Sequence, residues 1–353
     1  MRESIPSLNG LRAISIGLVI ISHISLINWQ DKFTPLGLDM RTLGQLGVNV
    51  FFVISGFLIT TLLLKEEQNA QTISLKNFYL RRVFRIFPVY YIMLLVYAGL
   101  QLLGLIHLNP NSWIRSILFL NDFGPLEGRD WPTYHTWSLS IEEQFYLFWP
   151  FLFKGFKPLR NYIALCIICV IPAFRIYSEF GHSNVVHVFS LFYRVDAIMW
   201  GCFLALNYDG FFSVLSRINK RFRLIQLLPF IIIYINMVLP YINFKYSSYV
   251  YHFYIAPLGG PTGTLTSICI CLIVIYSIKI QNIWFSVLNS GVFNYIGKLS
   301  YSIYLWQQII FVSAVTGCLS KFPYNVVLIL IVAAFSYHFI EKPFLSLKKR
   351  FEA

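Results

Sequence analysis

Ten runs in this chain are long and apolar enough to be read as membrane-crossing helices: 11–29, 45–64, 84–105, 140–156, 160–178, 188–206, 224–241, 262–279, 292–316 and 324–341. About 20 mostly apolar residues, at ~1.5 Å of rise each, cross the ~30 Å hydrocarbon layer of a bilayer. Lipid offers the backbone no hydrogen bonds, so such a run must satisfy its own N–H and C=O groups as a helix. The expected fold is an all-α integral membrane protein, a bundle of about ten transmembrane helices. The run 140–156 departs most from the pattern, being short and polar at its start. The stretch 113–120 is too short to span and is read as a re-entrant candidate.

Composition excludes the soluble alternative. Hydrophobic residues are 57% of the 353 and charged residues 12%, against ~45–50% and ~25% in ordinary soluble chains. With 33 Phe, 22 Tyr and 8 Trp, a water-soluble globule would leave large apolar patches exposed. The net charge of +13 would suit nucleic acid, but the basic residues lie between the apolar runs and form no arm or stripe. If the N-terminus is cytoplasmic, nineteen Lys and Arg fall on the inner side, among them Lys65, Lys76, Arg81, Arg82 and Arg85. Only Lys32, Arg41, Arg115, Arg129, Lys245 and Lys321 fall outside. That bias obeys the positive-inside rule and puts both termini in the cytoplasm; an eleventh span would spoil it.

The domain reading is one transmembrane domain over 1–345 and a short basic cytoplasmic tail over 346–353, with no appended soluble domain. The first apolar run ends in SHISLINW without a small-residue cleavage site, so it is read as a retained helix. All six cysteines fall in or next to apolar segments; Cys166 and Cys169 form a C-x-x-C that elsewhere suggests redox chemistry, but without a polar flank to activate a thiolate they are read as buried small hydrophobes. Two long outer connections stand out. Residues 106–139 carry Asp122, Glu127, Arg129, Asp130 and His135, and 242–261 is rich in Tyr and Gly.

Ionisable groups inside a membrane are costly, so each is a candidate for function. Arg12 and His23 are eleven residues apart, about three helical turns, which sets them on one face ~16 Å apart. A neutral imidazole there can take a proton from a hydroxyl; it can equally be a helix-to-helix hydrogen bond. Arg82 and Arg85 share a face at the mouth of the third span. Their guanidinium groups suit phosphate, or serve as positive-inside anchors. In HTWSLSIEEQFYLFWP, Ser140 and Glu143 have capping-box spacing, which explains Glu143 structurally and leaves Glu142 to orient an imidazole, bind hydroxyls or serve as a second favourable charge at a helix N-terminus. Arg175, Arg194 and Asp196 fall in the outer third; Arg194 and Asp196 cannot face each other and are read as partners of other helices, with substrate contact as the alternative. Ser300, Tyr304 and Gln307 form a polar stripe that is either helix glue or a substrate contact. This arrangement has arginines at the cytoplasmic end and a His with a carboxylate towards the outer end.

The chain resembles the acyltransferase family 3 of integral membrane acyltransferases. The resemblance rests on IPSLNGLRAISIGLVIISH (5–23), GVNVFFVISGFLIT (47–60), FYLRRVFRIFPVYY (78–91) and HTWSLSIEEQFYLFWP (135–150), with echoes in FYRVDAIMWG, YIGKLSYSIYLW and SYHFIEKPF. It implies a bacterial plasma-membrane enzyme that moves an acyl group, most often acetyl, from cytoplasmic acyl-CoA to a hydroxyl of a surface or exported glycan, which can be lipid-linked. It brings in Arg12 and His23 as the family's Arg-x10-His pair and Arg82 and Arg85 as its Arg-x-x-Arg pair, with Glu142 in its WSLxxE stretch. The implied roles are catalysis for His23 and Glu142, and donor binding for Arg12, Arg82 and Arg85, with Tyr304, Gln307, Arg194 and Asp196 as candidate substrate contacts. No metal is expected. Asn9 stands where members usually have Asp, and Gln307 replaces a common His, so the expectation concentrates on His23. A transporter or flippase for a glycan or lipid-linked intermediate is the rival reading, and it predicts no use of acetyl-CoA.

Overall fold

The computed structural model describes residues 6–28, 39–123, 130–179, 191–221, 223–246, 259–348 and 351, and among these every regular element is a helix. In chain order they are α1 (Pro6–Asn28), α2 (Met40–Ala70), α3 (Leu75–Leu102), α4 (Pro110–Ile117), α5 (Trp131–Tyr134) and α6 (Trp137–Gly155). Next come α7 (Arg160–Glu179), α8 (Leu191–Leu206), α9 (Tyr208–Arg221), α10 (Leu228–Tyr246) and α11 (Thr264–Lys279). The last are α12 (Ile283–Leu288), α13 (Gly291–Ile310), α14 (Ser313–Thr316), α15 (Tyr324–Ser336) and α16 (Lys342–Lys348). A π-helical turn, Tyr337–Glu341, joins α15 to α16.

Among the described residues five helices are long and apolar enough to cross a membrane: Ser7–Ile27, Thr42–Ala70, Leu75–Leu102, Lys157–Tyr177 and Tyr324–Leu347. Two bent pairs raise the number to seven if each is one span: α8 with α9, bent by 82°, and α13 with the helical residues up to Ser320, bent by 89°. Ten apolar runs therefore give five to seven qualifying helices. The run 224–241 appears as a shorter apolar helix over Leu224–Val238, and 262–279 as α11. The run 140–156 appears as α6, whose Glu142, Glu143 and Lys154 set it apart from the apolar set.

Large apolar side chains point outward, among them Phe148, Phe151, Phe335, Phe339 and Leu102, each more than half exposed. In water such a surface would be untenable; in lipid it is the solvent-matched face. The same physics corrects the reading of Cys166 and Cys169. All six cysteines are free, but only Cys202, Cys269 and Cys271 are buried, while Cys166, Cys169 and Cys318 are exposed. An apolar neighbourhood in sequence signals burial only where the outside is water.

The chain divides into two compact units. The first comprises Met1–Lys65, Phe156–Val186 and Ser190–Lys298. Within it α2 and α8 cross almost backbone to backbone: a Cβ on Gly56 would lie 1.9 Å from the Ile198 carbonyl oxygen, and one on Gly201 would lie 2.0 Å from that of Val53. Helices in lipid lack a hydrophobic drive to associate and gain by such close contact of small residues. Polar ties add direction. Arg175 pairs with Asp196, whose second carboxylate oxygen accepts from Thr264 at 3.1 Å; Asn49 donates to Ser267 at 3.1 Å and Asn236 to Thr266 at 3.2 Å. Asn9 donates to Asn294 at 2.8 Å, a structural tie.

The second unit comprises Glu66–Gly155, His187–Phe189 and Leu299–Ala353. Ser74 caps α3 by accepting from the Asn77 N–H, and Glu66 accepts from the Ser74 N–H at 2.9 Å. The other carboxylate oxygen of Glu66 meets Arg81 at 2.5 Å, and Arg81 also donates to the Phe351 carbonyl at 2.8 Å. Lys154, at the end of α6, donates to the Ile73 carbonyl before α3, and Tyr79 on α3 donates to the Leu147 carbonyl. Those two bonds run α3 and α6 antiparallel. The stretch 113–120 contributes to α4, which begins with Pro110 after an Asn109 cap. In the long connection around it, Asp130 accepts from the Asn109 N–H and Asp122 from Gln144; Glu127 and Arg129 lie outside the described residues, as does most of 242–261.

Candidate functional site

In the first unit, Arg12 and His23 both lie on α1, each half-buried, with the eleven-residue spacing that sets them ~16 Å apart along the axis. Arg194 and Asp196 lie on α8 and do not meet each other. Asp196 is fully buried, and both of its oxygens are taken, by Arg175 and Thr264.

In the second unit the neighbouring arginines of FYLRRVFR separate by environment. Arg81 is buried and held by Glu66 and the Phe351 carbonyl. Arg82 is turned to a different face and packs its guanidinium over the Tyr146 ring, 4.9 Å from its centre, and over Phe78 at 5.7 Å. Such cation–π contact holds the plane of the group and leaves its edge N–H donors available. Arg85 lies one turn on, half-buried, within electrostatic range of Arg82. Glu143 and Glu142 are also within that range. The sequence reading set the arginine pair and Glu142 at opposite ends of an axis; the antiparallel run of α3 against α6 instead puts Arg82 in the electrostatic neighbourhood of both glutamates.

Glu142 accepts from the Tyr146 hydroxyl at 3.2 Å, an i to i+4 bond along α6 that sets the phenol ring under Arg82. Glu143 is the residue that sequence reasoning missed. Its assignment to a capping box required α6 to begin at Ser140, but the helix starts at Trp137. Inside the helix, the Ser140 hydroxyl donates to the Thr136 carbonyl and accepts from the Asn121 N–H. Glu143 is thereby released to line a pocket of about 380 Å³ with Arg82 and Tyr146, and its buried Oε1 has no hydrogen-bond partner. The signal available in sequence was the Glu-Glu pair itself, two carboxylates side by side in a helix with a single capping explanation between them.

Tyr304 and Gln307 fall in the second unit on α13. The Tyr304 hydroxyl donates to the His135 carbonyl and is bonded to Ser138, with its ring 5.3 Å from that of His135. Gln307 is fully buried and donates to the Tyr304 carbonyl at 3.4 Å. The structure thus brings Arg82 and Glu143 to one pocket, with Arg85 and Glu142 within electrostatic range of Arg82, and gathers Tyr304 and Gln307 with His135 and Ser138.

The family model described as an acyltransferase domain matches residues 5–339. The chain belongs to acyltransferase family 3. Among its relatives, O-acetyltransferase OatA of Staphylococcus aureus strain NCTC 8325 is 30% identical, over 99% of this chain and 58% of its own length. A protein of S. aureus strain COL, provisionally named an O-acetyltransferase, is 31% identical over 96% of this chain and 57% of its own. YrhL of Bacillus subtilis, provisionally named a peptidoglycan O-acetyltransferase, is 27% identical over 96% of this chain and 54% of its own. The chain therefore spans little more than half the length of these curated relatives. No solved structure matches it.

Proposed function

We propose that this chain is a membrane O-acyltransferase that moves an acetyl group from cytoplasmic acetyl-CoA to a hydroxyl of a saccharide, as part of a cell-surface or exported glycan. The family match over nearly the whole chain carries this reading, supported by relatives named for O-acetyl transfer. The apolar runs then form ten spans in the bacterial plasma membrane with both termini cytoplasmic, the shorter and bent helices completing the five long ones.

In the proposed reaction His23 accepts the proton of the acceptor hydroxyl as its oxygen attacks the thioester carbonyl carbon. The C–S bond breaks, the thiolate leaves and is protonated to the free thiol of CoA, and the acetyl ester stays on the sugar. A relay through an acyl-His intermediate gives the same products in two steps. Three arginines, Arg12, Arg82 and Arg85, are the cationic candidates for the donor's phosphates. Because two glutamates offset the charge of Arg82, Arg85 is the stronger phosphate candidate of that pair. Glu142 positions Tyr146, and contact with acceptor hydroxyls is its proposed role.

The test follows release of free CoA thiol from acetyl-CoA by the full chain in lipid nanodiscs, with and without a bacterial glycan extract. Glycan-dependent release is expected, reduced about 10²–10⁴-fold by His23→Ala with the melting temperature unchanged, as for loss of a general base. Wild-type turnover by a folded His23→Ala protein would remove His23 from the reaction. Failure to bind acetyl-CoA at all would return the chain to the transporter reading.

A further inference from the structure

The pocket in the second unit has a composition that a donor site does not require. Arg82 brings edge N–H groups to it, and the buried Glu143 Oε1 brings an acceptor with no partner of its own. A carboxylate oxygen left dry costs free energy unless something donates to it. Around them stand the rings of Phe87, Phe119 and Tyr146, with the Gln144 amide fixed by the Phe119 carbonyl and Asp122. Both signs are present: Arg85, Glu142 and Glu143 all lie within electrostatic range of Arg82. A dianionic phosphate would meet as much repulsion as attraction here. A neutral polyol would find a donor fork, a carboxylate acceptor and flat apolar faces for the C–H surface of a ring.

The rim adds a second constraint. Val83, Leu118 and Leu147 border the pocket and are 37%, 58% and 56% exposed. Arg82 is the eighth residue of α3, so it lies ~10 Å along the helix from its first residue. On a spanning helix, at that depth, an exposed leucine or valine faces acyl chains. An apolar border of this kind suits an occupant that carries an apolar tail. Its volume of about 380 Å³ lies at the small end of the ~300–1,000 Å³ range of ligand pockets, enough for a head of limited size.

We infer that the Arg82–Glu143 pocket is a subsite for one sugar unit of a lipid-anchored saccharide, which enters from the bilayer between Val83, Leu118 and Leu147. A hydroxyl of that sugar donates to Glu143 Oε1, and others accept from Arg82. A zwitterionic phospholipid head would also balance these charges, but it would have to strip water from a phosphate and an ammonium together. Neutral hydroxyls are dehydrated at far lower cost. The inference rests on the saccharide-acceptor reading above and gives that acceptor a site.

The experiment measures equilibrium binding to the full chain in nanodiscs of phosphatidylcholine, with decyl glycosides of glucose, galactose and N-acetylglucosamine as probes. The matching methyl glycosides and dioleoylphosphatidylethanolamine serve as competitors, and acetyl-CoA binding is measured in parallel. At least one decyl glycoside is expected to bind tenfold or more tightly than its methyl counterpart. Glu143→Gln and Arg82→Gln are each expected to weaken that binding at least tenfold with the melting temperature unchanged, and Glu143→Gln to leave acetyl-CoA affinity unchanged as well. The inference is overturned if no decyl glycoside binds the folded protein, if both variants bind like wild type, or if phosphatidylethanolamine displaces the glycoside at equal concentration. Glycoside binding that survives while acetyl-CoA is never consumed would keep the subsite and remove the transferase reaction, so the two failures are distinct.

Discussion

The polar cluster around Asp196 in the first unit and the pocket around Arg82 in the second are built from the same kinds of side chain, yet they are opposite in design. Around Asp196 both carboxylate oxygens are occupied, by Arg175 and Thr264, and no surface of the carboxylate remains exposed. Around Arg82 the guanidinium is held by its faces, through Tyr146 and Phe78, while Glu143 keeps a buried oxygen without a partner. A buried charge whose valences are all used by protein is a structural tie. One whose valences point into a cavity has been left for something else. Ionisable groups in a membrane earn a functional hypothesis by default, and this contrast shows how to divide them.

The sharpest break of the comparison is removal of one partner from the closed cluster. Asp196→Ala leaves Arg175 buried without its counter-charge and is expected to cost about 3–5 kcal/mol, read as a large fall in melting temperature in detergent. A smaller loss, about 1.5–3 kcal/mol, is expected for Arg81→Gln, which gives up charge-assisted bonds to Glu66 and the Phe351 carbonyl. The adjacent substitution Arg82→Gln should do the reverse: stability within about 0.5 kcal/mol of wild type, but transfer to a glycan acceptor reduced roughly tenfold. If Arg82→Gln destabilised as much as Arg81→Gln, the division between tie and site would collapse. A loss of about 0.5–1.5 kcal/mol, below that of Arg81→Gln, is expected for Ser138→Ala, because Tyr304 keeps its bond to the His135 carbonyl; chemical denaturation would read it.

Much of this architecture was legible before any coordinates. Long apolar runs announced helices in lipid, and α1, α2, α3, α7 and α15 lie where the pattern put them. The order of the motifs, too, pointed to the family that the whole-chain match shows. Other features were not legible, for identifiable reasons. Hydrophobicity counts residues but does not see bends, so the run 188–206 ends in an 82° turn between α8 and α9. Local spacing made Ser140 and Glu143 a capping box because the helix start was placed three residues too late; the bond between the Ser138 and Tyr304 hydroxyls lies outside any local window. The neutralising company of Arg82 depends on α6 running back along α3, a tertiary fact that no window of sequence contains. Likewise Arg81 and Arg82 are indistinguishable as letters, and only their partners separate them, Glu66 and the Phe351 carbonyl for one, Tyr146 and Phe78 for the other.

The crossing of α2 and α8 has a consequence for how this chain can vary. The atoms that would block a methyl group at Gly56 or Gly201 are the carbonyl oxygens of Ile198 and Val53, main-chain atoms that every amino acid carries. A clash with a side chain can be repaired by trimming the neighbour, so two positions can drift together. Here there is nothing to trim. Codons 56 and 201 are closed to compensation, and a mutagenised library of this protein should lose diversity at both, whatever else it is allowed to change.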